Sequence, residues 1–152
     1  DRPISPEDSA KLIYTRHVFA EGLRLFPPAW AIGRSPLARI EIGGHTLERG
    51  SVVLMSPLIV QRDERWFKDA MAFRPERWAE EDPARPKFSF FPFGGGPRTC
   101  IGDQFAWMEG TLLLAEISRG FLFDPVLDRA EPQPLITLRP RSGMPVRIQE
   151  RV

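Results

Sequence analysis

The sequence predicts a domain of mixed α and β structure that is mainly α. Two long segments carry apolar residues at helical spacing, and several short β-prone segments lie between glycines and prolines. A third observation is the composition: the 152 residues are 42% hydrophobic, which is enough for one ordinary globular domain. These features exclude a disordered tail and a miniprotein held together by disulfides.

The first predicted helix runs from Pro6 to Leu25. Ser5 precedes it as an N-cap, Pro6 takes the first helical position, and two acidic residues follow in the first turn. Apolar residues then recur near helical spacing, at Leu12, Ile13, Phe19, Leu23 and Phe26. Pro27 and Pro28 end the helix, because proline has no amide hydrogen to donate inside one.

Short strands are expected next. Residues 39–42 alternate in polarity, Gly43 and Gly44 separate them from 45–47, and an apolar run follows at 52–55. We predict that these segments form one small antiparallel sheet. Residues 57–68 then favour a short helix.

A long aromatic segment at 69–97 has no lasting period. Long loops inside a compact domain are uncommon unless they are functional, so we expect it to pack against the rest. The clearest helix runs from Ile101 to Arg119, and we interpret its apolar stripe as core packing: Ile101, Phe105, Met108, Leu112 and Ala115. Three strands between proline-rich turns are predicted after it, at 121–123, 135–138 and 144–148.

Charge and hydropathy exclude two classes of partner. The 21 basic and 20 acidic residues give a net charge of +1, too little to attract nucleic acid. No apolar stretch approaches the roughly 20 residues that cross a bilayer, so no membrane segment is expected in this chain. A structural zinc site needs about four ligands, and Cys100, His17 and His45 are too few to supply them.

The most unusual residues form a glycine-rich approach to Cys100, from Phe93 to Gly102. Cys100 lies at the predicted start of the second long helix, where free N–H groups and the helix dipole favour a thiolate. The glycine spacing does not match a phosphate-binding loop. The residues alone leave three roles open: an inert buried cysteine, a nucleophile beside a histidine base, and a single thiolate ligand of heme iron.

These ten residues resemble the heme-binding signature of the cytochrome P450 family, Phe-x-x-Gly-x-Arg-x-Cys-x-Gly. The matching positions are Phe93, Gly96, Arg98, Cys100 and Gly102. Two further motifs occur upstream in the family's order: Glu21 and Arg24 match the Glu-x-x-Arg of its helix K, and 75–78 matches the Pro-Glu-Arg-Phe/Trp of its meander. The resemblance covers essentially the whole chain.

The resemblance implies the C-terminal part of that fold: helix K, a small antiparallel sheet, the meander, the Cys-ligand loop, helix L and C-terminal β-hairpins. It also implies that Cys100 is the axial ligand of heme iron, that Arg98 bonds a propionate and that Phe93 packs near the sulfur. Gly96 and Gly102 would keep the backbone close to the macrocycle.

A structural triad is expected from Glu21, Arg24 and Arg77. A spacing of three places Glu21 and Arg24 on one helix face, and Arg77 can add a second cation to the same carboxylate. By resemblance, a set of apolar residues would border the substrate pocket: Ala29, Trp30, Ala31, Ile32, Leu135 and Ile136.

Two departures from the family pattern concern the propionates. Gln61 stands where many relatives have histidine before Arg-Asp, and we expect its amide to bind a propionate instead. The cation that many relatives place soon after the Pro-Pro turn is missing near Ala31. The family's oxygen-activating helix has no counterpart either, so we predict that 1–152 forms a single incomplete domain.

The sequence therefore predicts part of a heme-thiolate monooxygenase, which uses dioxygen to insert one oxygen atom into an apolar small-molecule substrate. The resemblance implies heme b (iron protoporphyrin IX) and NAD(P)H-derived electrons, delivered by a redox partner such as a ferredoxin or a flavin reductase. A cytoplasmic location is expected if the protein is bacterial. The alternative is a truncated, non-catalytic heme-binding or interaction module.

Overall fold

The computed structural model of the chain describes residues 2–80 and 82–151. Their helices and strands follow one another as α1 (Ile13–Leu25), β1 (Ile32–Arg34), β2 (Ile40–Ile42), β3 (His45–Leu47), β4 (Val53–Met55), α2 (Pro57–Val60), α3 (Asp103–Gly120), β5 (Phe121–Pro125), β6 (Pro132–Pro134), β7 (Leu138–Pro140) and β8 (Val146–Glu150). Short 3₁₀ helices occupy Pro6–Lys11, Pro75–Trp78, Lys87–Ser89 and Gly96–Arg98. The mixed α and β prediction is confirmed.

The first predicted helix is interrupted. Its N-terminal part is the 3₁₀ helix Pro6–Lys11, and Leu12, at φ −84° and ψ 51°, separates it from α1. The Asp8 carboxylate accepts the Ser5 N–H at 3.0 Å and is paired with Arg2, which holds the first turns in their own tighter geometry. The predicted C-terminus is confirmed, since α1 ends at Leu25 and only its C-cap, Phe26, separates it from the two prolines.

The predicted single sheet is wrong. Strands β2 and β3 form an antiparallel hairpin, whose turn residues Gly43 and Gly44 have φ of +57° and +79°. Strand β4 does not join them; it pairs with β1, with Ile32 opposite Met55. The described residues therefore contain two separate two-stranded sheets here, β1 with β4 and β2 with β3.

The last part of the chain forms two antiparallel pairs. Strand β5 follows α3 without a loop and pairs with β8, and β6 pairs with β7. The predicted strand at 135–138 is wrong, because 135–137 form the turn between β6 and β7. A backbone hydrogen bond holds the end of this turn next to the segment after α1, since the N–H of Leu138, the first residue of β7, donates to the Pro28 carbonyl at 2.9 Å.

The core lies where α1 packs against α3 and against the 3₁₀ helix Pro75–Trp78. Its buried apolar side chains are Ala20, Leu23, Leu25, Phe67 and Ala70. Helices α1 and α3 approach closely because Gly110 lies against the ring of Phe19, which also meets Trp107 edge-to-face at 5.3 Å. The predicted helix at 57–68 is limited to 57–60, and turns continue from there to Phe67.

The apolar stripe of α3 is not core in this chain. Phe105 is 61% exposed and Ile101, in the turn before the helix, is fully exposed, whereas Thr111 on another face is buried. The chain as a whole exposes 11326 Å². A compact protein of 17.3 kDa exposes about 7800 Å². The excess surface includes many large apolar side chains. No helix among the described residues has the length and apolarity needed to cross a membrane.

Candidate functional site

A buried ionic cluster joins α1 to the segment that follows Pro75. Arg24 Nε and Nη2 donate to the two carboxylate oxygens of Glu21 at 2.9 and 2.8 Å, and both side chains are fully buried. Arg77 Nε and the Arg74 N–H each donate to Glu21 Oε1 at 2.9 Å, and Trp78 Nε1 donates to Oε2 at 3.0 Å. The expected triad is thus assembled, with Trp78 as a further donor; these four side chains, Glu21, Arg24, Arg77 and Trp78, are the Glu21 cluster.

The Glu21 carboxylate is held in its ionised form. Burial acts to raise the pKa of this carboxyl, but hydrogen bonds from Arg24, from the Arg74 N–H and from Arg77 outweigh burial and bring the pKa below its ordinary value. Arg24 is satisfied on its other edge as well, donating to the carbonyls of Gln61 and Ala70 at 2.7 Å. No buried side-chain polar atom among the described residues lacks a partner.

Residues 93–102, the cysteine loop, present Cys100 at the surface. Gly94 and Gly96 have φ of +75° and +69°, a left-handed conformation that favours glycine. The Cys100 N–H donates to the Phe93 carbonyl at 3.0 Å, and Thr99 Oγ1 donates to the Gly96 carbonyl at 2.8 Å. Helix α3 begins at Asp103, so Cys100 lies three residues before the helix rather than at its predicted start.

The exposed thiol opens into a concavity of about 330 Å³ between the cysteine loop and the segment after α1. Its lining combines one thiol, two guanidinium groups and a largely apolar wall: Leu23, Pro28, Ala29, Ile32, Arg34, Pro92, Phe93, Gly94, Arg98 and Cys100. A larger neighbouring concavity of about 820 Å³ shares Ile32, Arg34 and Gly94 with it and includes Gly96. Gly102 adjoins the thiol, since a Cβ placed there would lie 3.9 Å from Cys100 Sγ.

Several predicted site residues therefore meet in one place. Cys100, Arg98, Phe93, Ala29 and Ile32 line the same concavity. Ala31, Leu135 and Ile136 are not among its lining residues.

Leu135 and Ile136 are exposed at the turn between β6 and β7. Trp30 anchors this turn, because its indole Nε1 donates to the Leu135 carbonyl at 2.7 Å. The turn is thereby fixed next to the segment that follows α1.

The structure corrects the expectation for Gln61. This side chain is fully buried, and its amide nitrogen donates to the carbonyls of Leu23 and Arg24, both at 3.1 Å. Both amide N–H groups are thus used by the backbone of α1, and Gln61 does not line the concavity with Cys100. The geometry leaves Gln61 no N–H for a propionate.

Sequence reasoning missed Arg34. The cation thought to be missing after the Pro-Pro turn is present three residues beyond Ala31, at the end of β1, and it faces the same concavity as Arg98. Among the described residues neither Arg34 nor Arg98 forms an ion pair. No local signal identifies Arg34, because β1 has only three residues and is defined by its pairing with β4.

The described part of the chain contains no group of three or more His, Cys, Asp or Glu side chains that could hold a metal ion by themselves. The site thus offers one sulfur ligand and two cations rather than a set of metal ligands. Such a site suits an anionic, flat cofactor that brings its own metal ligands.

Comparison with known proteins identifies the family. A model of the family described as Cytochrome P450 matches residues 1–146. Cyclooctatin synthase of Streptomyces melanosporofaciens is 42% identical over 138 residues, which cover 90% of this chain and 28% of that protein. Human Cytochrome P450 4V2 is 35% identical over 154 residues, covering 99% of this chain and 29% of that protein.

The fold comparison agrees. The crystal structure of a 6-coordinated cytochrome P450 from Thermus thermophilus superposes with a TM-score of 0.81 at 35% identity, covering 98% of this chain and 41% of that one. This chain spans about three tenths of the length of the curated relatives that it matches. On the match to the family model and to the solved structure, the chain belongs to the cytochrome P450 family.

Proposed function

We propose that this chain is the cysteine-side part of a heme-thiolate monooxygenase, with Cys100 as the axial ligand of heme iron. The observation that carries the proposal is the exposed Cys100 thiol in a concavity that also holds two guanidinium groups. Membership of the cytochrome P450 family supports it.

The residues present fit a heme group. Heme needs a ligand for its iron, cations for its two propionates and apolar surface for its flat faces. Cys100 would supply the ligand, Arg34 and Arg98 would hold the propionates, and Phe93 with Ile32 would supply apolar contacts. The left-handed glycines of the cysteine loop carry no side chain that would stand between the loop and a flat ligand.

When bound, the heme group supplies dioxygen activation and the insertion of one oxygen atom into the substrate. This chain's residues hold the ligand for that chemistry. As the ligand of iron, Cys100 would bind without its Sγ proton, and its negative sulfur would donate electron density to the metal. Phe93 lines the concavity beside Cys100, where its apolar ring would help to exclude water once the cofactor is bound.

The Glu21 cluster fixes the elements that carry this site. It joins α1, whose C-terminal end leads into the concavity at Pro28 and Ala29, to the aromatic segment that leads into the cysteine loop. Arg24 and Glu21 are positioning residues in this scheme, since neither lines the concavity.

The proposed substrate is an apolar small molecule, supported by the apolar side chains of Ala29, Ile32, Leu135 and Ile136 around the segment after α1. The proposed cofactor is heme b, with NAD(P)H electrons arriving through a ferredoxin or a flavin reductase. A cytoplasmic location is proposed because the lone thiol must stay reduced to bind iron. Residues 1–152 are proposed as one incomplete domain.

The test is the absorption spectrum of the full-length, heme-loaded protein after reduction and addition of carbon monoxide. The proposal expects a strongly red-shifted Soret band, which reports a thiolate ligand. Cys100→Ser should abolish that band, whereas Ser142→Ala, at an exposed turn, should retain it. A Cys100→Ser protein that keeps the band contradicts the proposal.

Oxygen insertion separates the enzyme from a non-catalytic heme-binding module. The wild-type protein should consume dioxygen in step with oxidation of an apolar substrate when NAD(P)H and a redox partner are supplied. A protein with the thiolate band but without substrate oxidation is the module.

A further inference from the structure

Gln61 joins three separate parts of the chain. Its amide nitrogen donates to the carbonyls of Leu23 and Arg24 at the C-terminal end of α1, both at 3.1 Å. Its amide oxygen accepts the N–H of Phe91 at 2.9 Å. Its backbone carbonyl accepts from Arg24 Nη1 at 2.7 Å, which connects it to the Glu21 cluster.

The hydrogen bond from Phe91 to Gln61 anchors the turn that leads into the cysteine loop. The Phe91 carbonyl accepts the Gly94 N–H at 3.0 Å, forming the turn that contains Phe93. The Phe93 carbonyl in turn accepts the Cys100 N–H at 3.0 Å. A short series of hydrogen bonds therefore leads from α1 through Gln61 and Phe91 to the backbone of Cys100.

An amide side chain suits this position. The site needs two donors for carbonyls on one side and an acceptor for an N–H on the other, and a primary amide provides both on one planar group. Complete burial makes each of these bonds costly to lose, because an unpaired buried carbonyl or N–H has no water to replace its partner.

We propose that Gln61 is a positioning residue for the iron ligand: it holds the start of the cysteine loop against the end of α1 and does not contact a propionate. The inference rests on the proposed role of Cys100 as thiolate ligand. It gives Gln61 a role in the backbone of the loop rather than in contact with the cofactor.

The experiment uses the full-length, heme-loaded protein and two measurements: amide hydrogen exchange of the segment 90–94, and the Soret band of the reduced form with carbon monoxide. Gln61→Met keeps the length of the side chain and removes its donors and its acceptor. We expect exchange at 90–94 to be at least about tenfold faster, with loss of part of the thiolate band. The matched control is Thr111→Val, which removes another buried polar group, the hydroxyl that donates to the Trp107 carbonyl; it should leave both measurements unchanged.

Gln61→His keeps one donor and one acceptor, and it decides the matter if Gln61→Met does not fold. A neutral imidazole can accept the Phe91 N–H on one nitrogen and donate to a carbonyl of α1 from the other, so exchange at 90–94 should stay within about threefold of wild type. Exchange at 90–94 more than about tenfold faster in Gln61→His contradicts the inference. The inference is also contradicted if the Gln61→Met protein binds heme more weakly while the amides of 90–94 stay protected from hydrogen exchange, since that result indicates a propionate contact. Failure of the proposed function is a different result, a wild-type protein without the thiolate band.

Discussion

Replacing Glu21 with glutamine should lower the free energy of unfolding by about 3–5 kcal/mol, the usual cost of removing one partner from a buried ion pair. The carboxylate accepts five hydrogen bonds, two from Arg24 and one each from Arg77, the Arg74 N–H and Trp78. Glutamine places an NH₂ group where one oxygen accepts these bonds, so at least two donors lose their acceptor. Arg24, fully buried, also loses its counter-charge.

Equilibrium unfolding in urea, followed by tryptophan fluorescence, measures this loss, and Trp78 lies in the cluster as a direct reporter. The matched control is Glu116→Gln, which removes a carboxylate paired with Arg119 at a half-exposed surface. That change should cost less than about 1 kcal/mol. If the two variants lose similar stability, the argument that the Glu21 cluster holds this fold together is refuted.

Two further predictions concern acid and close packing. Because the folded-state pKa of Glu21 lies below its ordinary value of 4.5, its contribution to stability should be present above pH 4.5 and disappear as the pH falls through the lowered pKa. Urea midpoints measured from pH 6 down to pH 3 should therefore fall more steeply for wild type than for Glu21→Gln, and parallel curves would contradict this reasoning. Gly110→Ala should destabilise the protein by about 1–3 kcal/mol, because the new methyl group would overlap the ring of Phe19. Gly22→Ala, at a helical glycine with open space around it, should instead stabilise by about 0.5–1 kcal/mol, and equal signs for the two changes in thermal unfolding would rule out the close approach of α1 and α3.

Local signals were enough to predict the end of α1, most of α3 and the pair of Glu21 and Arg24. The two prolines after Leu25 mark the end of α1 by simple chemistry, and the spacing of Glu21 and Arg24 places both on one face. Arg77 could be added only through the resemblance, because the order of the family's motifs connects it with Glu21, 56 residues earlier. For the end of α1 and for the pair of Glu21 and Arg24, the deciding information is within a few residues of the position concerned.

Long-range pairing explains what the sequence did not show. Strand β1 has three residues and is recognisable only from its partner β4, about twenty residues later, so the sequence alone does not place Arg34. The stripe containing Phe105 indicates an apolar helix face but does not say what covers it. The side chain of Gln61 bonds backbone groups, which every residue carries, so no sequence pattern reveals these partners.

The order of the Glu21 cluster residues along the chain determines when the cluster can form during synthesis. Among the described residues, every partner of the Glu21 side chain follows it in the chain, and the last of these partners is Trp78. Gln61, which accepts a hydrogen bond from Phe91 just before the cysteine loop, is also synthesised before that loop. Because the ribosome synthesises the chain from its N-terminus, the hydrogen bonds of the Glu21 cluster can form before Phe91 and Cys100 emerge. The residues that support the cysteine loop are therefore available before the loop itself.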